Sequence, residues 1–139
     1  MHVLPYLYFD GRCEEALRFY EKALGGQVTA LLRFRETPEP HPPLPPGVEE
    51  NVMHAEIRIG DTTLFASDGM RTGGRPTFQG ISLTLAAGDE AEADRLFAAL
   101  ADGGEVRQPL GATFFSPRFG VLTDRFGVGW LVITTPRQP

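Results

Sequence analysis

Residues 116–135 read SPRFGVLTDRFGVGWLVITT. The fold is decided by this stretch. Arg118–Thr123 alternates as a short β run, Asp124–Gly127 is built from turn residues, and Val128–Thr135 is dense in β-branched and aromatic side chains. The pattern predicts two antiparallel strands closing on a tight turn.

Working back from that hairpin, Glu105–Pro109 reads as a strand, Gly103-Gly104 as a stop, Asp89–Ala101 as a helix and Ile81–Leu85 as a strand. Asp89 is placed to cap the helix, and Glu90 and Glu92 suit the positive end of its dipole. The first half repeats this order. Val3–Phe9 is a strand that Pro5 confines to an edge. Cys13–Leu24 is an amphipathic helix, with Ala16, Phe19, Tyr20, Ala23 and Leu24 on one face. Asp10 is its expected N-cap, and Gly25-Gly26 its left-handed end. Gln27–Phe34 follows as a strand. Val52–Ile59 and Thr62–Ser67 then pair across a Gly60-Asp61 turn and end at Asp68-Gly69. Both helices stop at Gly-Gly, and Ala16, Arg18, Phe19 and Tyr20 of the first match Ala93, Arg95, Leu96 and Phe97 of the second. The chain therefore reads as two βαβββ modules, about 1–69 and 79–135, joined by the Gly/Pro/Arg-rich linker 70–78.

One βαβββ unit covers one face of its sheet with a helix and leaves the other bare. The expected architecture is α+β: paired, concave mixed sheets around a cleft, within a single domain. Glu36–Glu50 is the only strongly biased segment, with six prolines between Pro38 and Pro46. It predicts an extended surface loop, a lid, or an arm to another subunit.

The totals exclude several classes. A chain of 139 residues with 42% apolar and 22% charged residues is one core-forming domain. A net charge of −5 argues against nucleic acid and anionic membrane as partners. The single cysteine, Cys13, cannot form an internal disulfide, which points to a reducing, cytoplasmic setting. It is read as structural. The N-terminus lacks the basic and long apolar regions of a secretory signal, and no apolar run approaches the ~20 residues of a membrane span.

The motifs resemble those of a known family. P-Y-L-Y-F-D-G at 5–11, E-E-A-L-R-F-Y at 14–20, M-H-A-E-I-R-I-G-D at 53–61 and the closing R-F-G-V-L-T-D-R-F-G hairpin at 118–127 resemble the PhnB-like branch of the glyoxalase/bleomycin-resistance/extradiol-dioxygenase superfamily. The resemblance covers nearly the whole chain. It implies the paired βαβββ fold and a homodimer. It also implies metal ligands at four places, which by register fall near Pro5, near Phe65, at Gly80 and near Leu131. None of these side chains can donate to a metal. No metal site or other cofactor is therefore expected, unless a divalent metal sits at displaced ligands. Two details also depart from the family pattern: Arg125 stands where a proline is usual, and Val128 where a histidine or lysine is usual. Methyl transfer, suggested by family names, lacks a Gly-rich strand–helix turn for a nucleotide cofactor.

His54, Glu56 and Arg58 are the strongest candidate constellation. Period-2 spacing places them together on the face of a strand whose other face is apolar. His54 can serve as a base or hydrogen-bond a ligand, and Glu56 and Arg58 can orient polar groups or hold a carboxylate. The bland alternative is a solvated face with a weak ion pair. Asp68 is a candidate for the cleft mouth or an ordinary Asx turn. Arg118 is expected to bind an anion or pair with Asp124. Phe114 and Phe115, after Gly111-Ala112, are the aromatics expected to meet a ligand, whereas Tyr6, Phe9, Phe65 and Trp130 are read as core. The expected function is binding of a small molecule in a metal-free cleft, as bleomycin-resistance proteins do. The alternative is an enzyme of the lyase, isomerase or dioxygenase kind, with His54 as base or with a displaced metal.

Overall fold

The computed structural model describes residues 1–39, 41–69 and 76–134. The chain divides into two compact units, Met1–Pro76 and Thr77–Pro139. The linker 70–78 expected between them lies largely outside the described residues.

In the first unit the order is β1 (Tyr6–Tyr8), α1 (Cys13–Leu24), β2 (Gln27–Arg33), β3 (Val52–Ile59) and β4 (Thr62–Ser67). The four strands form one mixed sheet in the order β1-β4-β3-β2. β1 runs parallel to β4, and the other pairs are antiparallel. As Pro5 predicts, β1 lies at an edge, but it is shorter than expected. Pro5 falls outside it and contributes only its carbonyl, which accepts from Phe65 N at 3.0 Å.

Alternation assigns the two faces. Leu7, Ala55, Ile57, Leu64 and Ala66 are buried with Ala16, Leu17 and Tyr20 of α1. The rings of Phe9 and Tyr20 lie 6.5 Å apart. Side chains one position out of phase (Tyr6, Tyr8, His54, Glu56 and Phe65) therefore share the face that α1 does not cover.

The start of α1 differs from expectation. Asp10 is not the cap; it adopts a left-handed conformation with φ 47°. Arg12 precedes the helix and makes no side-chain cap. Asp68, just past the end of β4, accepts instead from Cys13 N at the helix start and from Gly11 N before it. Gly25 closes the helix with φ 68°, as predicted.

The Pro-rich segment leaves β2 through a 3₁₀ turn at Phe34–Glu36. Its neck is tied shut: Phe34 N donates to Asn51 O and Arg35 N to Glu49 O, both at 3.0 Å. Val48 and Phe34 are buried beneath it.

In the second unit β5 (Leu83–Ala87), α2 (Glu90–Ala101), β6 (Glu105–Gly111), β7 (Phe119–Thr123) and β8 (Gly129–Thr134) repeat the same order. The sheet order is β5-β8-β7-β6, again with one parallel pair, β5 and β8. Asp89 caps α2 by accepting from Glu92 N at 2.7 Å, as predicted. α2 packs closely because Gly120 has no side chain: a Cβ there would lie 2.7 Å from the Phe97 ring. The closing turn is organised by Asp124. Its carboxylate accepts from Phe126 N (2.8 Å), Val128 N (3.1 Å) and the Trp130 indole (2.8 Å).

Candidate functional site

The helix-free face of the first sheet brings titratable and aromatic groups together. The Tyr6 hydroxyl lies 2.9 Å from His54 Nδ1, and His54 Nε2 lies 3.5 Å from Glu56 Oε1. Glu56 is acceptor-only, so the Nε2 hydrogen points to it and Nδ1 accepts from the Tyr6 hydroxyl. Burial, and after it Tyr8, hold the Tyr6 phenol above its ordinary value, against the pull of a hydrogen bond from Ser67. The phenol therefore stays a donor at neutral pH.

Rings pave the surface around this chain. Tyr8 stacks on Tyr6 with centroids 5.0 Å apart and planes 24° apart. Phe65 stands edge-on to Tyr6 at 5.9 Å and tilts against His54 at 5.4 Å. Tyr6 is 38% exposed and Tyr8 54%. The register places Phe65 directly between Tyr6 and Glu56 on the neighbouring strands, which brings these groups from three strands into one row.

Arg58 shares the face but not the cluster. Its Nε donates to Gly60 O at 3.2 Å, and Asp61 is its ion-pair partner at 4.0 Å. Asp68, expected at the cleft mouth or in an Asx turn, is an internal clamp. It is 3% exposed, and its carboxylate accepts from Gly11 N (2.7 Å), Cys13 N (2.8 Å) and Val52 N (2.8 Å). Those three amides occupy both oxygens. Burial, and secondarily the Asp68 charge, push the Cys13 thiol well up, in keeping with a structural rather than reactive residue.

Phe114, Phe115 and Arg118 belong to the second unit. Phe114 is fully exposed and packs edge-on to Phe115 at 5.0 Å, while Phe115 meets Phe119 at 5.1 Å. Their turn is firmly built. Thr113 Oγ1 accepts from Phe115 N and Ser116 N, and the buried Ser116 hydroxyl reaches the carbonyls of Arg118 and Thr134. Arg118 does not pair with Asp124, whose acceptors serve its own turn. It bridges to α2 instead, at 3.0 Å from Asp94 and 3.3 Å from Glu90.

Phe65 places an aryl ring where the resemblance implies a ligand. Among the described residues no three His, Cys, Asp or Glu side chains converge as a metal site.

Sequence reasoning assigned Tyr6 to the core and did not single out Tyr8. The available signal was their alternation: they fall out of phase with Leu7 and Phe9 and carry hydroxyls, so the two tyrosines belong to the face opposite the helix. Among the described residues no helix is long and apolar enough to cross a membrane.

Comparison with known proteins agrees with this architecture. Protein PA1353 from Pseudomonas aeruginosa superposes with a TM-score of 0.85 and 41% identity, covering 97% of this chain and 98% of that one. A Bacillus cereus PhnB protein, also called a 3-demethylubiquinone-9 3-methyltransferase, gives 0.81 and 28% over 97% and 100%. Protein YjdN of Escherichia coli K12 is 31% identical over 146 residues, covering 100% of this chain and 99% of its own. A glyoxylase/bleomycin resistance protein/dioxygenase domain from Frankia shares the fold, with a TM-score of 0.65 at 16% identity. Residues 1–133 match the family described as 3-demethylubiquinone-9 3-methyltransferase. The chain thus belongs to that family, and its fold is that of the glyoxalase/bleomycin-resistance proteins.

Proposed function

We propose that this protein binds a small, partly planar molecule on the helix-free face of its first sheet, without a metal, as a homodimer in the cytoplasm. The observation that carries the reading is the Tyr6–His54–Glu56 hydrogen-bond chain set into a floor of Tyr8 and Phe65. Apolar rings with a few convergent polar groups are the ordinary composition of a ligand site. The rings offer stacking area, and the chain offers one oriented polar contact. Methyl transfer, which the family description names, finds no support in the β1–α1 connection: residues 9–13, Phe-Asp-Gly-Arg-Cys, carry a single glycine and no phosphate-cradling loop.

A second reading is favoured by the same chain. A phenol, an imidazole and a carboxylate in series can move a proton, so His54 as a base makes the protein an enzyme acting on a weakly acidic substrate. The test is a thermal-shift screen of planar and amphipathic metabolites on the wild type and on His54→Ala. Stabilising compounds whose effect disappears in His54→Ala support the site, and NMR detection of their turnover selects the enzyme reading. Compounds that stabilise both proteins equally would place binding elsewhere. Near-stoichiometric retention of a divalent metal after purification would overturn the metal-free reading.

A further inference from the structure

We propose that the atom meeting the ligand is the Tyr6 hydroxyl oxygen, with His54 and Glu56 as positioning residues behind it, and that the site consequently prefers planar ligands bearing an N–H or O–H donor. The proposal rests on the reading of this face as a ligand site and adds the polarity of the ligand group.

The argument follows from how the imidazole is used. A histidine has two nitrogens, and here both are engaged, Nδ1 by Tyr6 and Nε2 by Glu56. A ligand reaching His54 directly would have to displace one of them. The Tyr6 oxygen is different. Its hydrogen is committed to Nδ1 and Ser67 engages one of its lone pairs, but a phenolic oxygen keeps a second for another partner, and Tyr6 is more than a third exposed. With its proton directed inward, the oxygen presents only acceptor capacity outward. The carboxylate of Glu56 sets this polarity by fixing the imidazole tautomer. Tyr8 stacked on Tyr6 and Phe65 edge-on to it supply the surface on which a planar ring lies beside that oxygen.

The groups bearing on the imidazole come from three strands. β1 contributes Tyr6, β3 contributes Glu56, and β4 contributes Phe65. From β2, Leu32 lies opposite His54 in the register. The carboxylate is thus the group that decides which imidazole nitrogen carries the hydrogen.

The experiment compares indole with 1-methylindole, which has the same ring without the donor. Binding to the full chain is followed by NMR shift titration. In the wild type indole is expected to bind about fivefold to tenfold more tightly, the value of one neutral hydrogen bond. In Tyr6→Phe the ratio should fall to about one while the affinity for 1-methylindole changes less than twofold. His54→Phe keeps a ring and removes the acceptor for the Tyr6 proton, so it should lower the ratio with Tyr6 still present. A purely structural role for Tyr6 would weaken both ligands together. A ratio near one in the wild type would overturn the proposal while leaving the ring floor as a binding surface. A ratio that persists in Tyr6→Phe would overturn it in favour of another acceptor. Absence of binding by both ligands would also overturn it; the metabolite screen on His54→Ala then decides separately whether the face is a site at all.

Discussion

Replacing Asp68 should damage this protein more than any substitution in the ligand-facing cluster. Its carboxylate joins three places that are far apart in the chain: Gly11 and Cys13 at the start of α1, and Val52 at the start of β3. In Asp68→Asn the shape is kept, but an amide nitrogen must face at least one backbone N–H across 2.7–2.8 Å. One charge-assisted hydrogen bond, about 1.5–3 kcal/mol, is lost, and a buried donor such as that of Val52 loses its acceptor. We expect a destabilisation of about 2–4 kcal/mol, a large share of the roughly 5–15 kcal/mol typical of a whole domain. Asp68→Ala strands the buried amides of both Cys13 and Val52 and should cost about 3–5 kcal/mol. Asp10→Asn is the matched control. Its left-handed backbone suits asparagine, and it caps nothing, so it should stay within about 0.5 kcal/mol of wild type. Urea denaturation followed by far-UV circular dichroism measures all three, and amide exchange at Gly11, Cys13 and Val52 localises the effect. If Asp68→Asn matched the wild type, or if Asp10→Asn proved the costlier change, the clamp reasoning would be refuted.

Two further expectations concern stability. Cys13 has its thiol pKa raised by burial, so above the ordinary thiol value of about 8.5 the unfolded chain ionises while the folded one does not. The unfolded state then binds fewer protons, and stability falls as pH rises, by up to about 1.4 kcal/mol per pH unit. The stability gap between wild type and Cys13→Ala, measured by denaturation from about pH 8 to pH 10, should shrink; a constant gap would contradict this. Gly120→Ala should cost about 1–3 kcal/mol, because its Cβ would lie 2.7 Å from the Phe97 ring and 3.0 Å from the Leu110 backbone. A variant with an unchanged denaturation midpoint would show that α2 can move away.

The repeat and its periodicities were legible because each element carries its own local signal. β3, β4 and α1 fall on the residues that alternation or helical spacing marks out. The ends of β1 and β5 were not, since a strand next to Pro5 or Gly80 stops where hydrogen bonding stops and not where apolar residues do. His54 and Glu56 were found through period-2 spacing. Tyr6 was missed because an aromatic in an apolar strand reads as core until the opposite strand is known. The partners of Asp68 and Arg118 were not legible, for a shared reason. A charged residue at a strand end looks exposed in sequence, yet its partners, at Gly11 and Cys13 in one case and Glu90 and Asp94 in the other, are brought by the fold.

The parallel pairing of β1 with β4 has a consequence for synthesis. Within this unit β1 is synthesised before the other strands, yet among the described residues its strand partner is β4, the last of the unit. The Gly11–Asp68 contact that locks it spans 57 residues. The β3–β4 hairpin can close locally and early, whereas Tyr6, Leu7, Tyr8 and Phe9 stay unpaired until Ser67 and Asp68 emerge. The ring floor of the candidate site is therefore completed by the final docking event of the first unit. During that interval the nascent chain exposes the apolar residues of β1, which opens this strand to chaperone capture.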